Sequence, residues 1–308
     1  MKVGTRGSKL ALAQARKVCR LLADRGADAA PVVIKTSGDI HTTEPLHAMK
    51  GVGAFVQEID DRLLAGDVDI AVHSLKDVPT KRPEGLETAA VLRRESALDV
   101  AITRDGRRLS QLGEAAVVGT SSTRRTALIK KFYPGLQTRN IRGNVDTRLR
   151  KLNEGEYDAI MLAEAGLIRL DMSLQAERLD PYEFVPSANQ GVIAIVARPG
   201  TDAFKAVSAL NDPDTWLETS VERVVAAALD GGCVAPMGVY AKRNGDSIDV
   251  VCEVLSLDGQ RQARVRETIP VEGHEARARR LAEKLAACGG RALVDEAKRE
   301  LRGCGDER

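Results

Sequence analysis

The feature that most constrains the fold is an alternation of short β-branched runs with segments of helical periodicity, which extends from residue 32 to residue 163. Their lengths and order are typical of α/β units. The alternation predicts a mainly parallel sheet. Strands are predicted over 32–36, 69–75, 100–103, 116–122, 137–142 and 158–163, and helices over 55–65, 123–132 and 144–153.

A second feature is the apolar run 191–198, "GVIAIVAR", which follows a complete α/β unit over about 98–186. A buried strand at this place is typical of a chain that returns to its first sheet. We therefore predict two α/β domains, 1–97 plus 187–212 and 98–186. Two crossings of the chain join them, and a cleft lies between them.

The pattern changes after a predicted helix over 215–229. Asn244-Gly245 and Asp258-Gly259 are strong hairpin signals among three β-rich runs. A long helical segment is then predicted over 274–302. The region 213–308 is therefore predicted to be a smaller α+β domain with a three-stranded antiparallel sheet.

Charge and cysteine content exclude several classes of protein. The chain has 46 Lys and Arg against 44 Asp and Glu, and a net charge of +2 creates no field that would attract nucleic acid or a membrane. The five cysteines form no CxxC pair, which argues against a disulfide framework and a thiolate metal site. No signal-peptide core and no run of about 18 apolar residues is present. We expect a cytoplasmic protein without a metal.

Polar turns at two predicted strand ends are candidate anion sites. In "GTRGSKLALAQA", Arg6 and the amides near Ser8 are suited to an anion, although an ordinary capped helix is the more common explanation of this pattern. In "HSLKDVP", strand alternation sends Ser74 and Lys76 to one side and Asp77 to the other. Open α/β sheets bind ligands at such ends, but a solvated turn remains the alternative.

The strongest anion signal is "GTSSTRRTALIKK", residues 119–131, where Arg124 and Arg125 fall in the first turn of a predicted helix. Arginine opposes the helix dipole there, and an anionic ligand is the obvious reason for it. Residues 119–151 contain nine Lys or Arg, including Arg142 and Arg148, against one acidic residue. The scarcity of aromatic residues argues against nucleic acid, so small carboxylate or phosphate ligands fit better.

Cys233 lies in "LDGGCVAPMG", in a loop beyond a helix that is predicted to end at Asp230-Gly231. A lone cysteine is usually a small buried hydrophobic residue. The adjacent glycines favour another reading, because they allow a bulky group to approach the backbone. No histidine nearby offers itself as a base, so the thiol is a candidate attachment point.

Over nearly its whole length the chain resembles the porphobilinogen deaminase (hydroxymethylbilane synthase) family. The resemblance rests on several motifs in the order of the family: "GTRGSKLALAQ", "GVGAFVQEID", "HSLKDVP", "GTSSTRR", "IRGNVDTRLRKL", "YDAIMLAEAGLIRL" and "LDGGCVAPMG". It implies an α/β architecture of three domains. The first two resemble type II periplasmic binding proteins around a cleft, and the third is the C-terminal α+β domain.

The resemblance also implies an activity. Members of this family carry a dipyrromethane cofactor, assembled from substrate, on the cysteine of the "GGC" loop through a thioether, which here is Cys233. They add four porphobilinogen units head to tail with loss of ammonia, and hydrolysis releases hydroxymethylbilane. Each pyrrole bears an acetate and a propionate, and guanidinium groups suit such carboxylates. A monomer is expected.

Site roles follow from the resemblance, position by position. Asp77 is the expected catalytic residue, because its carboxylate would stabilise the cation that remains on porphobilinogen when ammonia leaves. The expected cofactor-binding residues besides Cys233 are Ser74, Lys76, Thr120, Ser121, Ser122, Arg124, Arg125, Arg142 and Gly143. The expected substrate-binding residues are Arg6, Ser8, Arg148, Arg169 and Gln190.

One segment departs from the family pattern. Bacterial relatives carry a lysine in a "GGKG" segment, where this chain has Gly51-Val52-Gly53. Either Lys50, two positions earlier, supplies that charge or the charge is missing. The surrounding stretch 38–53 has no periodicity and is predicted to be a mobile lid.

A different class of function is a binding protein that holds a small anion in the same cleft without chemistry. Such a protein needs the arginines but neither Cys233 nor Asp77. DNA binding is a third reading, which the near-zero net charge disfavours.

Overall fold

The computed structural model describes residues 1–35, 54–230 and 234–306. The predictions for Cys233, for Lys50 and for the stretch 38–53 concern positions outside these residues. Within the described residues, no helix combines the length and the apolar character that a membrane crossing needs.

The strands form three sheets. Two sheets have five strands each, and the third has three. In chain order the strands are β1 (Lys2–Thr5), β2 (Ala30–Val33), β3 (Ile70–Ser74), β4 (Glu87–Val91), β5 (Asp99–Thr103), β6 (Val117–Gly119), β7 (Gln137–Arg139), β8 (Ala159–Ala163), β9 (Glu177–Arg178), β10 (Ile193–Ala197), β11 (Met237–Asn244), β12 (Ser247–Leu255) and β13 (Gln262–Pro270).

The first two sheets are mainly parallel, as expected, but each contains one reversed strand that the sequence did not predict. The first has the order β2-β1-β3-β10-β4, and the second has the order β7-β6-β8-β5-β9. Strands β2, β1 and β3 are parallel, whereas β10 runs antiparallel to β3 and β4. Likewise, β5 is antiparallel to β8 and β9. The reversed strands are those that enter a sheet directly after the chain has crossed between sheets.

Helices cover the sheets and connect the strands. They are α1 (Lys9–Ala23), α2 (Ala54–Leu64), α3 (Thr123–Phe132), α4 (Val145–Asn153), α5 (Glu164–Arg169), α6 (Asp202–Ser208), α7 (Pro213–Leu229), α8 (His274–Leu285) and α9 (Arg291–Asp306). The helical segment predicted over 274–302 is present as α8 and α9, which are separated by a kink. Gly289 adopts a φ of 97° between α8 and α9, a value that favours glycine and breaks the helix.

The C-terminal sheet has its own hydrophobic core. Strands β11, β12 and β13 are antiparallel, and side chains from α7, α8 and α9 pack against them. Cys252 is fully buried in this core, and burial raises the pKa of its thiol to about 12. Cys252 therefore behaves as a small apolar residue, as lone cysteines usually do.

The candidate site residues follow the carboxyl ends of parallel strands. Arg6 follows β1, and the 3₁₀ turn Leu75–Asp77 follows β3. The turn 120–122 follows β6 and leads into α3, and Arg142 follows β7. Open α/β sheets place ligands at these ends, so the topology brings polar loops from two sheets towards one region.

Candidate active site

The first turn of α3 carries two buried arginines. Ser122 caps this helix, and its hydroxyl accepts a hydrogen bond from the Arg125 backbone N–H. Arg124 donates to the carbonyl of Val185 at 2.7 Å, and Arg125 donates to the carbonyl of Met161 at 3.1 Å. Both side chains are therefore held in fixed orientations.

The anion that faces both arginines is Asp99, the first residue of β5. Arg124 Nη1 lies 2.7 Å from Asp99 Oδ2, and Arg125 Nη2 lies 2.7 Å from Asp99 Oδ1. Burial favours the neutral acid, but Arg124 and Arg125 outweigh it and hold the pKa of Asp99 far below its usual range. The protein itself therefore supplies one carboxylate to these arginines, which was not predicted from the sequence.

Gln190 belongs to the same junction. Its amide donates to Asp99 Oδ1 at 2.9 Å and to the carbonyl of Ala97 at 2.8 Å, and the residue is 1% exposed. Gln190 lies on the second crossing and Ala97 on the first. Gln190 therefore joins the Asp99 carboxylate to the backbone of both crossings of the chain.

The hydroxyl groups between β6 and α3 hold neighbouring loops together. Thr120 Oγ1 accepts from the N–H of Ser122 at 3.2 Å. Ser121 donates to the carbonyl of Ile141 at 2.6 Å and accepts from its N–H at 3.2 Å. These bonds connect the loop before α3 to the loop that carries Arg142.

That second loop presents Arg142 and Arg148. Gly143 has a φ of 107°, and a Cβ there would lie 2.6 Å from the Thr147 side chain, so glycine is required. Arg148 Nε donates to the carbonyl of Gly143 at 2.9 Å. Burial and, to a smaller extent, the charges of Arg125 and Arg142 lower the pKa of Arg148 to about 10. Burial also lowers the pKa of Arg142.

Lys76 and Asp77 project from the turn after β3. Leu75 and Val78 on either side are buried, whereas Lys76 and Asp77 are exposed. The pKa of Lys76 is lowered to about 8, mainly by desolvation of its amine and also by the charges of Arg125 and Arg124, whereas Asp77 and Asp99 act in the opposite direction. Lys76, on the first sheet, thus lies within electrostatic reach of the arginines on the second.

Ser8 and Ser74 are both occupied by local hydrogen bonds. Ser8 caps α1 and accepts from the N–H of Ala11 at 3.2 Å. Ser74 Oγ accepts from the amide of Gln14 at 2.9 Å. Next to Ser8, Lys9 forms an ion pair of 2.6 Å with Asp146 of α4. This pair places the Arg6–Ser8 loop beside the helix that carries Arg148.

Arg169 belongs to another cluster. Its guanidinium forms an ion pair with Glu95, which also binds Lys17 at 2.6 Å. Lys17 lies on α1 and Arg169 at the end of α5. Glu95 therefore links a helix of the first sheet to a helix of the second sheet. Within the part of the chain that the structure describes, Arg169 therefore binds Glu95 and not the residues around Arg148.

Sequence reasoning missed Asp99, Glu95 and Gln14. Asp99 carries one usable signal, since it opens the strand "DVAIT", all of whose residues are buried. An ionised residue at such a position needs a charged partner. Glu95 and Gln14 carry no comparable signal, because their partners are defined only by the tertiary structure.

We define the cation cluster as Lys76, Arg124, Arg125, Arg142 and Arg148. Its members are linked, because each one shifts the pKa of another member or has its own pKa shifted by one. Asp99 contacts two of the five, and Asp77 adds a second negative charge. Desolvated cations in excess over carboxylates favour a ligand with several carboxylates. Among the described residues, no group of His, Cys, Asp and Glu has a metal-binding arrangement.

Comparisons with known proteins agree with this chemistry. The family model "Porphobilinogen deaminase, dipyromethane cofactor binding domain" matches residues 1–206, and the model "Porphobilinogen deaminase, C-terminal domain" matches residues 216–287. A "Probable porphobilinogen deaminase" of Methanocella arvoryzae is 67% identical over 98% of this chain and 99% of the relative. One from Methanosarcina mazei is 51% identical over 96% of this chain and 95% of the relative.

Solved structures with lower similarity include a periplasmic substrate-binding protein of an ABC transporter from Coxiella burnetii. It has a TM-score of 0.43 and 13% identity, and the match covers 70% of this chain and 94% of that one. Because this similarity is low, the fold is assigned from the strand order of the chain itself. The two family models and the near-full-length relatives lead to one conclusion: the chain belongs to the porphobilinogen deaminase family.

Proposed function

We propose that this protein is a hydroxymethylbilane synthase, a transferase of tetrapyrrole biosynthesis that condenses four porphobilinogen molecules head to tail and releases ammonia. Membership of the family over nearly the whole chain supports the proposal. The observation that carries it is the cation cluster beside Asp77, at the carboxyl ends of strands from both α/β sheets.

The residues present fit a dipyrromethane. Two pyrroles with an acetate and a propionate each carry four carboxylates, and the cation cluster has more positive charges than Asp99 and Asp77 neutralise. When bound, the group supplies a nucleophilic pyrrole carbon and a covalent anchor for the growing chain. The residues assigned to it are Ser74, Lys76, Thr120, Ser121, Ser122, Arg124, Arg125, Arg142, Gly143 and Cys233, of which Cys233 would form the thioether.

Asp77 is assigned the role of the catalytic carboxylate. When the carbon–nitrogen bond of the porphobilinogen aminomethyl group breaks, the electron pair leaves with ammonia and the remaining cation shares its charge with the pyrrole nitrogen. A carboxylate beside that N–H favours the cation over the neutral ground state. Loss of a preorganised charge of this kind typically lowers the rate by a factor of about 10²–10³. The buried neighbours Leu75 and Val78 fix the backbone on both sides of Asp77.

Arg6, Ser8 and Arg148 are assigned to the carboxylates of incoming porphobilinogen. The ion pair between Lys9 and Asp146 supports grouping them, because it joins the loop of Arg6 to the helix of Arg148. Arg169 and Gln190 have the same assignment. Their contacts with Glu95 and Asp99 mean that they also stabilise the surrounding structure.

The remaining predictions are part of the proposal. We expect a cytoplasmic monomer with domains 1–97 plus 187–212, 98–186 and 213–308. The sheet that β10 completes and the separate C-terminal core support these limits. Gel filtration with light scattering would measure the mass in solution.

The intact mass of the purified protein tests the proposal. Protein made in a host that supplies porphobilinogen should weigh more than its sequence by two linked pyrrole units, and Cys233→Ala should remove the excess. Cys288→Ala is the matched control, because Cys288 is an exposed free cysteine and its replacement should leave the added mass in place. The sequence mass in fully active protein would contradict the proposal.

A further inference from the structure

Arg223, on α7 of the C-terminal region, contacts the backbone that directly follows Asp77. Its Nη2 donates to the carbonyl of Pro79 at 2.7 Å, and its Nη1 donates to the carbonyl of Val78 at 3.2 Å. In the part of the chain that the structure describes, no carboxylate forms an ion pair with Arg223. Burial and, to a smaller extent, the charge of Arg82 lower the pKa of Arg223 to about 10. Both hydrogen bonds therefore serve the backbone of this turn.

The turn has a second attachment on its other side. The Leu75 N–H donates to the carbonyl of Val192 at 2.9 Å, and the Val78 N–H donates to the carbonyl of Leu75 at 3.1 Å. Leu75 and Val78 pack into a small apolar cluster with Val192. The backbone of Asp77 is thus fixed by Val192, the residue before β10, on one side and by Arg223 on the other.

The helix that carries Arg223 is itself firmly held. The neighbouring Glu222 is fully buried and accepts from Arg94 at 2.8 Å, from the Asn189 N–H at 2.6 Å and from the Ala241 N–H at 2.9 Å. Arg94 and Asn189 lie on the two crossings between the α/β bodies. Arg223 therefore extends from a helix whose place is set by both crossings.

We propose that Arg223 is a positioning residue, which fixes the Asp77 carboxylate through the Val78 and Pro79 carbonyls. This inference rests on the proposed function, because it requires Asp77 to act in the reaction. A planar fork of donors can bind two successive carbonyls at once, whereas a lysine ammonium at the end of a shorter reach cannot reproduce both bonds. The C-terminal region thus contributes to the order of the catalytic turn as well as carrying the cofactor cysteine.

The test compares Arg223→Met with Arg198→Met. Arg198 is a matched control, because it is also half-buried and donates to two backbone carbonyls, those of Leu63 and Val68. It follows β10 at the end of the sheet opposite to Asp77, since Ala197 pairs with Ile70 and Ile193 pairs with Ser74. Both variants lose a comparable pair of bonds, but only one loses contact with the catalytic turn.

The expected result is a split between kinetic constants. A small misplacement of a catalytic group can cost about 10²-fold in rate, so Arg223→Met should lower kcat by roughly 10–100-fold. KM and the added cofactor mass should remain near native, and Arg198→Met should keep native kcat. The kcat of Arg223→Lys should lie between those of the native protein and Arg223→Met. Native kcat in Arg223→Met, or equal losses of kcat in Arg223→Met and Arg198→Met, would overturn the proposal. If the Met variant does not fold, native kcat in Arg223→Lys overturns it.

A double-mutant cycle separates positioning from general stability. In an Asp77→Asn background, Arg223→Met should lower the remaining rate by less than about threefold, because residues that act as a unit are not additive. The full loss in that background would mean that Arg223 acts independently of Asp77. A native rate in Asp77→Asn alone would instead refute the role of Asp77 in the proposed function, so the two failures are distinguishable.

Discussion

Replacing Asp99 by asparagine removes one negative charge and almost no volume from the junction of Arg124, Arg125 and Gln190. In the native protein this carboxylate is 1% exposed and forms ion pairs of 2.7 Å with both arginines. The substitution leaves two buried guanidinium groups without their counter-charge. Removing one partner of a buried ion pair costs about 3–5 kcal/mol. We therefore expect the free energy of unfolding of Asp99→Asn to fall by about this amount at neutral pH.

The difference in the free energy of unfolding between the native protein and Asp99→Asn should decrease as the pH falls. The pKa of Asp99 lies far below its ordinary value of 3.8 in the folded protein, so the unfolded chain takes up this proton first as the pH falls. The stabilisation is complete above the ordinary pKa and decreases below it, as proton linkage requires. The native protein should lose this contribution below about pH 4, and the asparagine variant has none to lose. The difference in the free energy of unfolding between the native protein and Asp99→Asn should therefore become smaller at acidic pH.

Urea unfolding followed by circular dichroism, from pH 7 down to pH 3, measures both effects. Asp105→Asn is the control, since Asp105 pairs with Arg107 in the same body but both side chains are about half exposed. We expect no measurable change in that control. An Asp99→Asn protein as stable as the native protein at pH 7 would refute the argument that Asp99 neutralises the arginines.

Three further predictions concern individual residues. Asp77→Asn should fold and turn over about 10²–10³ more slowly, whereas Asp77→Glu should retain more activity; near-native steady-state rates in the Asn variant would exclude a catalytic carboxylate. Arg124→Met should lower the fraction of protein that carries the added cofactor mass, and Arg148→Met should slow chain extension in single-turnover assays; normal behaviour of both would contradict their assignments. Gly143→Ala should destabilise the protein by about 1–3 kcal/mol in urea unfolding, because of its φ of 107° and the 2.6 Å approach to Thr147; an unchanged midpoint would show that the loop adapts.

Local patterns were sufficient to predict where the arginines lie. A β-branched run, a Gly-Thr-Ser-Ser turn and a helix predict that Arg124 and Arg125 begin α3, and the structure places that helix at Thr123–Phe132. The turn signals Asn244-Gly245 and Asp258-Gly259 also predict the three antiparallel strands of the C-terminal region. These features depend on neighbours within one or two turns of chain, which a sequence pattern records.

Pairing over long separations could not be predicted in this way. Arg125 binds Asp99 from 26 positions away, and Arg223 binds Pro79 from 144 positions away. Periodicity carries no information about such partners. The same limit explains why the reversed direction of β5 and β10 was not predicted, because strand direction depends on how the chain crosses between sheets and not on the residues of the strand.

The place of β10 in the first sheet also has a consequence for synthesis of the protein. β10 lies between β3 and β4, yet it is made about a hundred residues after β4. At roughly 5–20 residues per second, the nascent N-terminal body waits about 5–20 s with two unpaired strand edges. Such edges are sites of wrong pairing between chains. A truncated gene that stops after residue 97 should therefore yield aggregates, and the ribosome must complete the second body before the first can close its sheet.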